Sequence, residues 1–281
     1  MRARSLSRWL LAALLLTQTA CGSLSADDRH RAAPRFNAGF NLFSPEQDVE
    51  LGKASAEELE RQTPVLEDER TTAYVQRLGE RIAAAAPGYR FKYRFIVVDS
   101  PEVNAFALPG GYVFVNKGAI DASRSEGELA SVLAHEISHV ALRHGTTQAS
   151  KAYLVKTGLN VLEAVTGGRG FEFGRRINES ACAAASALFI RFNRAAEIQA
   201  DIEGARLMTA AGYDPRDMAA FFETLGERTV ERTRETSNDH PDTATRVAAI
   251  NETIPTLEIA PKPLRDTEEF HRIKSRLSRA R

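Results

Sequence analysis

The stretch Ala134-His135-Glu136-Ile137-Ser138-His139-Val140 decides how the rest of the chain is interpreted. Side chains four residues apart lie on one face of a helix, so His135 and His139 can bind the same small cation. Glu136 lies roughly 100° around the helix from His135, where it can reach a water activated by that cation without being a ligand itself. The pattern predicts a zinc ion with Glu136 as a general base. An ordinary helix with two hydrogen-bonded histidines is the alternative.

The residues around this stretch favour the metal. Ser125, followed three residues later by Glu128, has the pattern of a capping box and predicts where the helix begins. The positions between the polar groups are apolar: Leu129, Val132, Leu133, Ala134, Ile137, Val140, Ala141 and Leu142. A helix that is apolar on all sides is buried. Because burying two histidines and a glutamate without partners is costly, a bound metal is the simplest explanation.

The segment Arg143-His144-Gly145 closes the predicted helix, with Gly145 in the left-handed conformation that ends many helices. His144 follows His139 by five residues and so points roughly 140° away from the metal-facing direction. We therefore interpret His144 as a cation at the helix end rather than as a third ligand.

A second pair of candidate metal-binding groups lies downstream. Glu197 and Asp201 are four residues apart on a predicted helix that continues to Ala211 and ends at Gly212. One carboxylate can complete a three-ligand zinc shell. The other can accept a hydrogen bond from the second ring nitrogen of a ligating histidine. A solvated acidic surface is the common alternative for such a pair.

A small sheet is predicted between the first helices and the metal helix. Side chains alternate from Phe91 to Val97, and the strands Asn104–Leu108 and Tyr112–Val115 flank the turn Pro109-Gly110-Gly111. These strands could be plain core sheet. Alternatively, Asn104, Ala105, Phe106 and Ala107 form an edge strand that offers backbone groups to an extended peptide.

Helices are predicted before and after these strands in the sequence. Ser44 caps a helix that runs to about Gln62, and a second runs from about Glu67 to Ala86. Further helices are predicted at 146–166, after Asp214-Pro215, around Arg246, and from about Thr267, where Phe270, Ile273 and Leu277 would face the protein body.

The amino terminus has the composition of an export signal. A basic start precedes the apolar run Trp9 to Leu16, which is far shorter than the ~20 residues that span a bilayer. A small residue before Cys21 resembles a bacterial lipoprotein signal, which implies that Cys21 is lipidated and anchored to the outer membrane. Cleavage near Ala26 as an ordinary signal is the alternative.

Composition bounds the remaining organisation. The 281 residues include 37 basic and 37 acidic ones, so nothing in the charge indicates a nucleic-acid partner. We divide the chain into a signal peptide (1–21), a tether (22–43), a catalytic domain (44–254) and a basic C-terminal extension predicted to be helical (255–281).

Four motifs in order resemble the HtpX-like and CAAX-prenyl-protease-like family of zinc metallopeptidases. They are Leu133–His139, Glu197–Asp201, Asn104–Gly111, and His240-Pro241 followed by Arg246. The resemblance implies a gluzincin fold of the α+β class, mainly helical, with the active-site helix beside the edge strand of a small sheet. It also implies one Zn²⁺ per chain, held by His135, His139 and Glu197, with Asp201 supporting a ligand.

The same resemblance implies roles for the remaining residues. Glu136 would be the base, and His240 would either donate to the developing oxyanion or occupy the open zinc position. The implied function is a metalloendopeptidase acting on misfolded or unassembled envelope proteins on the periplasmic side, attached to the membrane through a lipid anchor. A zinc-binding envelope chaperone or assembly factor without proteolysis is the alternative.

Overall fold

The computed structural model describes residues 39–165, 192–231 and 243–279, with side chains for all of these except 155–165 and 226–231. The helices are α1 (Pro45–Gln62), α2 (Glu69–Ala83), α3 (Lys117–Ala122), α4 (Glu126–Ala141), α5 (His144–Val165), α6 (Arg194–Ala210), α7 (Arg216–Glu231), α8 (Thr243–Thr253) and α9 (Glu268–Arg279). The strands are β1 (Arg94–Val98), β2 (Ala105–Leu108) and β3 (Tyr112–Asn116). This mainly helical chain with a small sheet has the predicted α+β class.

Helix α4 carries the first metal motif and lies in the middle of the fold. Fifteen of its sixteen residues are buried, as the apolar pattern predicted. Ser125 caps it by accepting a hydrogen bond from the Glu128 backbone N–H at 3.3 Å. The second half of the predicted capping box is absent there, because the Glu128 carboxylate instead accepts from the Arg124 backbone N–H at 2.7 Å and from Arg124 Nε at 2.9 Å.

The sheet has the order β1-β3-β2, with β3 parallel to β1 and antiparallel to β2. Within the described part of the sheet, β2 is therefore an edge strand. The turn between β2 and β3 requires glycine at Gly110, whose φ is 76° and where a Cβ would lie 2.5 Å from the Val49 Cα in α1. The turn thereby packs tightly against α1.

One hydrophobic core joins the inner face of the sheet to the helices. Its buried members include Val75, Leu78, Ile82, Phe95, Val113, Leu129, Leu133, Ile137, Leu207 and Ile250. Helix α9 forms as predicted, and Phe270, Ile273 and Leu277 are buried in this same core. No described helix has both the length and the apolar content needed to span a bilayer.

One short helix was not predicted, and one local prediction was wrong. The unpredicted helix is α3, which has six residues, follows β3 directly and lacks a side-chain cap. The left-handed residue after α4 is Arg143, at φ 55°, and Gly145 lies inside α5. Tertiary contacts account for this conformation, since the Arg143 guanidinium donates to buried Asp48 at 2.6 and 3.0 Å and to the Phe43 carbonyl.

The N-terminal end of α4 is held by a buried carboxylate that the sequence did not reveal. Glu126 accepts hydrogen bonds from the hydroxyls of Tyr74 at 2.9 Å and Tyr213 at 2.6 Å, and from the Thr267 hydroxyl. These donors come from α2, from the segment after α6 and from the segment before α9. They fix the start of the helix that carries the metal motif.

Candidate metal centre

Three candidate ligands converge from two helices. The Nε2 atoms of His135 and His139 in α4 are 3.0 Å apart. The two carboxylate oxygens of Glu197 in α6 lie 3.5 Å from these nitrogens, one from each. All three residues are buried, and their candidate ligand atoms lie within 4.8 Å of one another. In the described ranges this is the one such cluster, and it consists of the three residues that the sequence analysis named as ligands.

A glycine allows α6 to approach α4 this closely. Gly204 follows Glu197 by seven residues and Asp201 by three, so the three share one face of α6. A Cβ at Gly204 would lie 3.3 Å from the Ala134 carbonyl carbon and 3.3 Å from the His135 backbone nitrogen. Sequence reasoning missed this residue, although its spacing from the two carboxylates was a usable signal.

Asp201 lies where a partner for a ligating histidine is needed. Its Oδ1 is 2.9 Å from His135 Nδ1. Burial alone would raise the pKa of Asp201, but hydrogen bonds from Arg246 and His135 outweigh it and hold the pKa below its ordinary value. An ionised Asp201 accepts the Nδ1–H of His135, which leaves the lone pair on Nε2 facing Glu197.

Arg246 links two carboxylates of α6, Glu197 and Asp201, to α8. Its Nε and Nη2 donate to Asp201 at 2.7 Å each, and its Nη1 lies 3.1 Å from Glu197. The guanidinium is buried and stacks over the Phe222 ring at 4.4 Å. In the sequence Arg246 was noted only as part of the His240-Pro241 motif, and these paired contacts were not predicted.

The donor set and its surroundings fit a zinc ion. Two imidazoles and one carboxylate leave a fourth position for water or substrate, which is the composition of catalytic zinc sites. Burial and Arg246 both lower the pKa of His135, yet Asp201 and Glu197 outweigh them and raise it to about 9. The surroundings of this ring thus favour a positive charge, which a bound cation would supply in place of the proton on Nε2.

His144 does not have the predicted role. Burial lowers its pKa to about 4, so the ring is neutral and is not a cation at the helix end. Its Nδ1 lies 2.9 Å from His139 Nδ1, and its Nε2 lies 3.2 Å from the Gln199 side-chain oxygen. It is outside the cluster of three candidate ligands, as expected.

Some of the other predicted site residues lie in the described part of the chain, and two lie outside it. Glu136 is buried in α4 next to His135, and Ala105–Ala107 lie in edge strand β2, with Asn104 immediately before it. Ala107 borders the same small cavity as His139 and Phe192, and the Phe192 ring stacks on His139 at 4.1 Å. His240 and Cys21 lie outside the described residues.

A buried His-Glu-x-x-His helix, joined by a carboxylate from a second helix beside the edge of a small sheet, defines a zincin-type metallopeptidase. The family model for peptidase family M48 matches residues 69–254. The chain belongs to this family of zinc-dependent metallopeptidases, which confirms the family resemblance, the metal and the enzyme class.

Three individual relatives to which the chain is similar are also named as proteases. The chain is 27% identical to the beta-barrel assembly-enhancing protease of Escherichia coli (strain K12) over 281 residues, 97% of this chain and 56% of the relative. It is 30% identical to the mitochondrial metalloendopeptidase OMA1 of Schizosaccharomyces pombe over 67% of this chain and 55% of the relative. It is 27% identical to metalloprotease YcaL of Escherichia coli (strain K12) over 63% of this chain and 66% of the relative. The chain thus spans just over half the length of the first two relatives.

Proposed function

We propose that the protein is a zinc metalloendopeptidase that cleaves misfolded or unassembled proteins of the cell envelope. The observation that carries this proposal is the buried convergence of His135, His139 and Glu197 beside Glu136. The relative named as a beta-barrel assembly-enhancing protease supports the envelope substrate class. The test is zinc content and hydrolysis of an unfolded casein-type substrate, measured on wild type and on Glu136→Gln.

The chain's own residues divide the work of peptide hydrolysis. Bound by His135, His139 and Glu197, zinc would supply Lewis acidity toward a water and the scissile carbonyl. Glu136 takes the proton of the attacking water and passes it to the leaving amine. Asp201 keeps His135 in the tautomer whose lone pair is on Nε2. Glu136 therefore has the proton-transfer role, and Asp201 has the orienting one.

We assign the substrate strand to the outer edge of β2. The Asn104 carbonyl accepts from the Asn116 N–H at 3.0 Å. In an antiparallel pair every second residue is hydrogen-bonded to the partner strand, so Phe106 and Leu108 are the next residues of β2 that bond to β3. Ala105 and Ala107 fall between those residues, and their backbone N–H and C=O groups point away from β3. An extended peptide can add to this edge, next to the cavity shared with His139.

Ala107→Pro is expected to weaken substrate binding without loss of zinc. Proline removes an outward N–H, which edge strands tolerate, and no bond to β3 is lost. One hydrogen bond contributes about 0.5–1.5 kcal/mol, so KM should rise roughly 2- to 10-fold. Ala107→Val, which adds similar bulk but keeps the N–H, is the matched control and should bind as wild type does. Equal KM values for the two variants would contradict the assignment.

We propose that His240 donates to the oxyanion that develops on the substrate. Support comes from Arg246, six residues later, which contacts two carboxylates of the site. Loss of such a donor typically lowers kcat by ~10²–10³, and this is the expected result for His240→Ala. If His240 instead occupies the open zinc position, the same change raises activity toward unfolded substrate. A turnover equal to wild type at saturating zinc would exclude both roles.

We propose further that Cys21 is lipidated and anchors the protein to the outer membrane on the periplasmic side. The apolar run Trp9 to Leu16, followed by Thr17-Gln18-Thr19-Ala20-Cys21, supports this. Cys21→Ser is expected to move the protein from the membrane fraction to the soluble periplasm, or to leave the signal uncleaved. Fractionation and intact mass are the measurements. A wild-type protein that is soluble and lacks acyl mass would show an ordinary signal instead.

A further inference from the structure

We propose that His144 is a positioning residue for the metal ligand His139: it accepts the Nδ1–H of His139 and is itself fixed by Gln199. The inference rests on the ligand assignment proposed above. It extends that assignment to two residues outside the cluster of candidate ligands.

Hydrogen-bond chemistry gives the three side chains one consistent direction. The Gln199 side-chain oxygen can only accept, so His144 Nε2, at 3.2 Å, carries the proton. A neutral imidazole protonated at Nε2 has its lone pair on Nδ1. His139 Nδ1, 2.9 Å away, must therefore be the donor. A histidine protonated at Nδ1 has its lone pair on Nε2, the atom that faces Glu197 at 3.5 Å.

The two candidate histidine ligands thus have different supporting groups. His135 donates to the carboxylate of Asp201 at 2.9 Å, whereas His139 donates to a neutral imidazole. Since Glu136, Glu197 and Asp201 are all buried, another carboxylate behind His139 would add further buried negative charge. A neutral acceptor fixes the tautomer of His139 without that cost.

Helix α6 supplies groups to both sides of the site. Asp201 supports His135, while Gln199, two residues earlier, contacts His144, which in turn supports His139. Gln199 is more exposed than His144, so water can partly replace its contact. The contribution of His144 should therefore exceed that of Gln199.

The alternative is that His144 only packs against His139, since the two rings also meet edge to face at 4.9 Å. Two substitutions separate packing from hydrogen bonding. His144→Leu fills much of the space but cannot accept, whereas His144→Asn places a side-chain oxygen near the position of Nδ1. Gln199→Leu removes only the hydrogen bond between His144 Nε2 and the Gln199 side-chain oxygen.

The experiment measures the zinc dissociation constant of each purified full-length variant by competition with a fluorescent chelator, and the melting temperature of each metal-free form. Loss of a group that supports a metal ligand typically weakens metal binding 10- to 100-fold, which is the expected result for His144→Leu. His144→Asn should recover most of that affinity, and Gln199→Leu should show a smaller loss. The metal-free forms of the Leu and Asn variants should melt together.

Two outcomes would overturn the inference: wild-type zinc affinity in His144→Leu, or equal losses in the Leu and Asn variants. Should His144→Leu fail to fold, unchanged affinity in Gln199→Leu would overturn it instead. A parallel His139→Ala sample tests the ligand assignment separately. Zinc retained by His139→Ala would contradict the proposed ligand set. If His139→Ala loses zinc but His144→Leu binds zinc with wild-type affinity, only the positioning role of His144 is contradicted.

Discussion

Glu136→Gln is expected to bind zinc as the wild type does and to hydrolyse unfolded substrate with a kcat ~10²–10⁴-fold lower, the range that a positioned general base typically contributes. The amide has the shape of the carboxylate but cannot take a proton from water. Glu136 is buried in α4 next to one candidate ligand and is not in the ligand cluster. The substitution should therefore separate proton transfer from metal binding.

The measurement combines zinc content, melting temperature and casein hydrolysis. Glu57→Gln is the matched control, because Glu57 has an exposed side chain whose ion pair with Lys53 is long, at 3.9 Å. A zinc-loaded Glu136→Gln protein with unchanged turnover would exclude Glu136 as the base. A wild type that suppresses aggregation of unfolded protein but never cleaves it would favour the chaperone alternative.

The second large effect is expected from the ligands themselves. His135→Ala, His139→Ala and Glu197→Ala should each lose zinc and activity together. Structural zinc sites with four ligands bind the metal with about 10–16 kcal/mol, so one ligand is worth roughly 3 kcal/mol, or more than a hundredfold in affinity. The three side chains come from two helices and meet in one buried cluster, so removing any one would leave only two protein ligands and a much lower affinity for the metal.

Metal analysis after dialysis, followed by assay at saturating zinc, checks this expectation. His271→Ala is the matched histidine control, since His271 is exposed on α9 and bonded to Asp266 at 2.6 Å, and it should keep both zinc and activity. Zinc retained by Glu197→Ala at wild-type affinity would overturn the ligand assignment.

Local spacing made much of the site predictable from sequence. The pairs His135/His139 and Glu197/Asp201 are each four residues apart, and the helical repeat alone fixes which face they share. The same repeat identified the apolar surface of α4 and the three buried residues of α9. The bounds of α1 were also predictable, because Ser44 and Gln47 form the expected capping box.

Features that depend on tertiary contacts were not predictable in this way. The left-handed backbone at Arg143 follows from its bonds to Asp48 and Phe43, which are distant in sequence. The neutral state of His144 follows from its burial between two helices. Glycine suits position 204 because a Cβ there would crowd the Met218 side chain and the α4 backbone beside His135. In each case the partner, rather than the local sequence, decides the conformation or charge.

The short outer edge of β2, an edge strand in the described part of the sheet, also bears on how a protease of this kind would choose its targets. The edge offers backbone groups from Ala105 and Ala107, and every polypeptide has matching groups, so the contact carries little information about side chains. A folded protein has already paired those groups within its own sheets and helices. Selection would then depend on how often a segment is free of its own structure. Conformational freedom, rather than a recognition sequence, would mark a chain for cleavage.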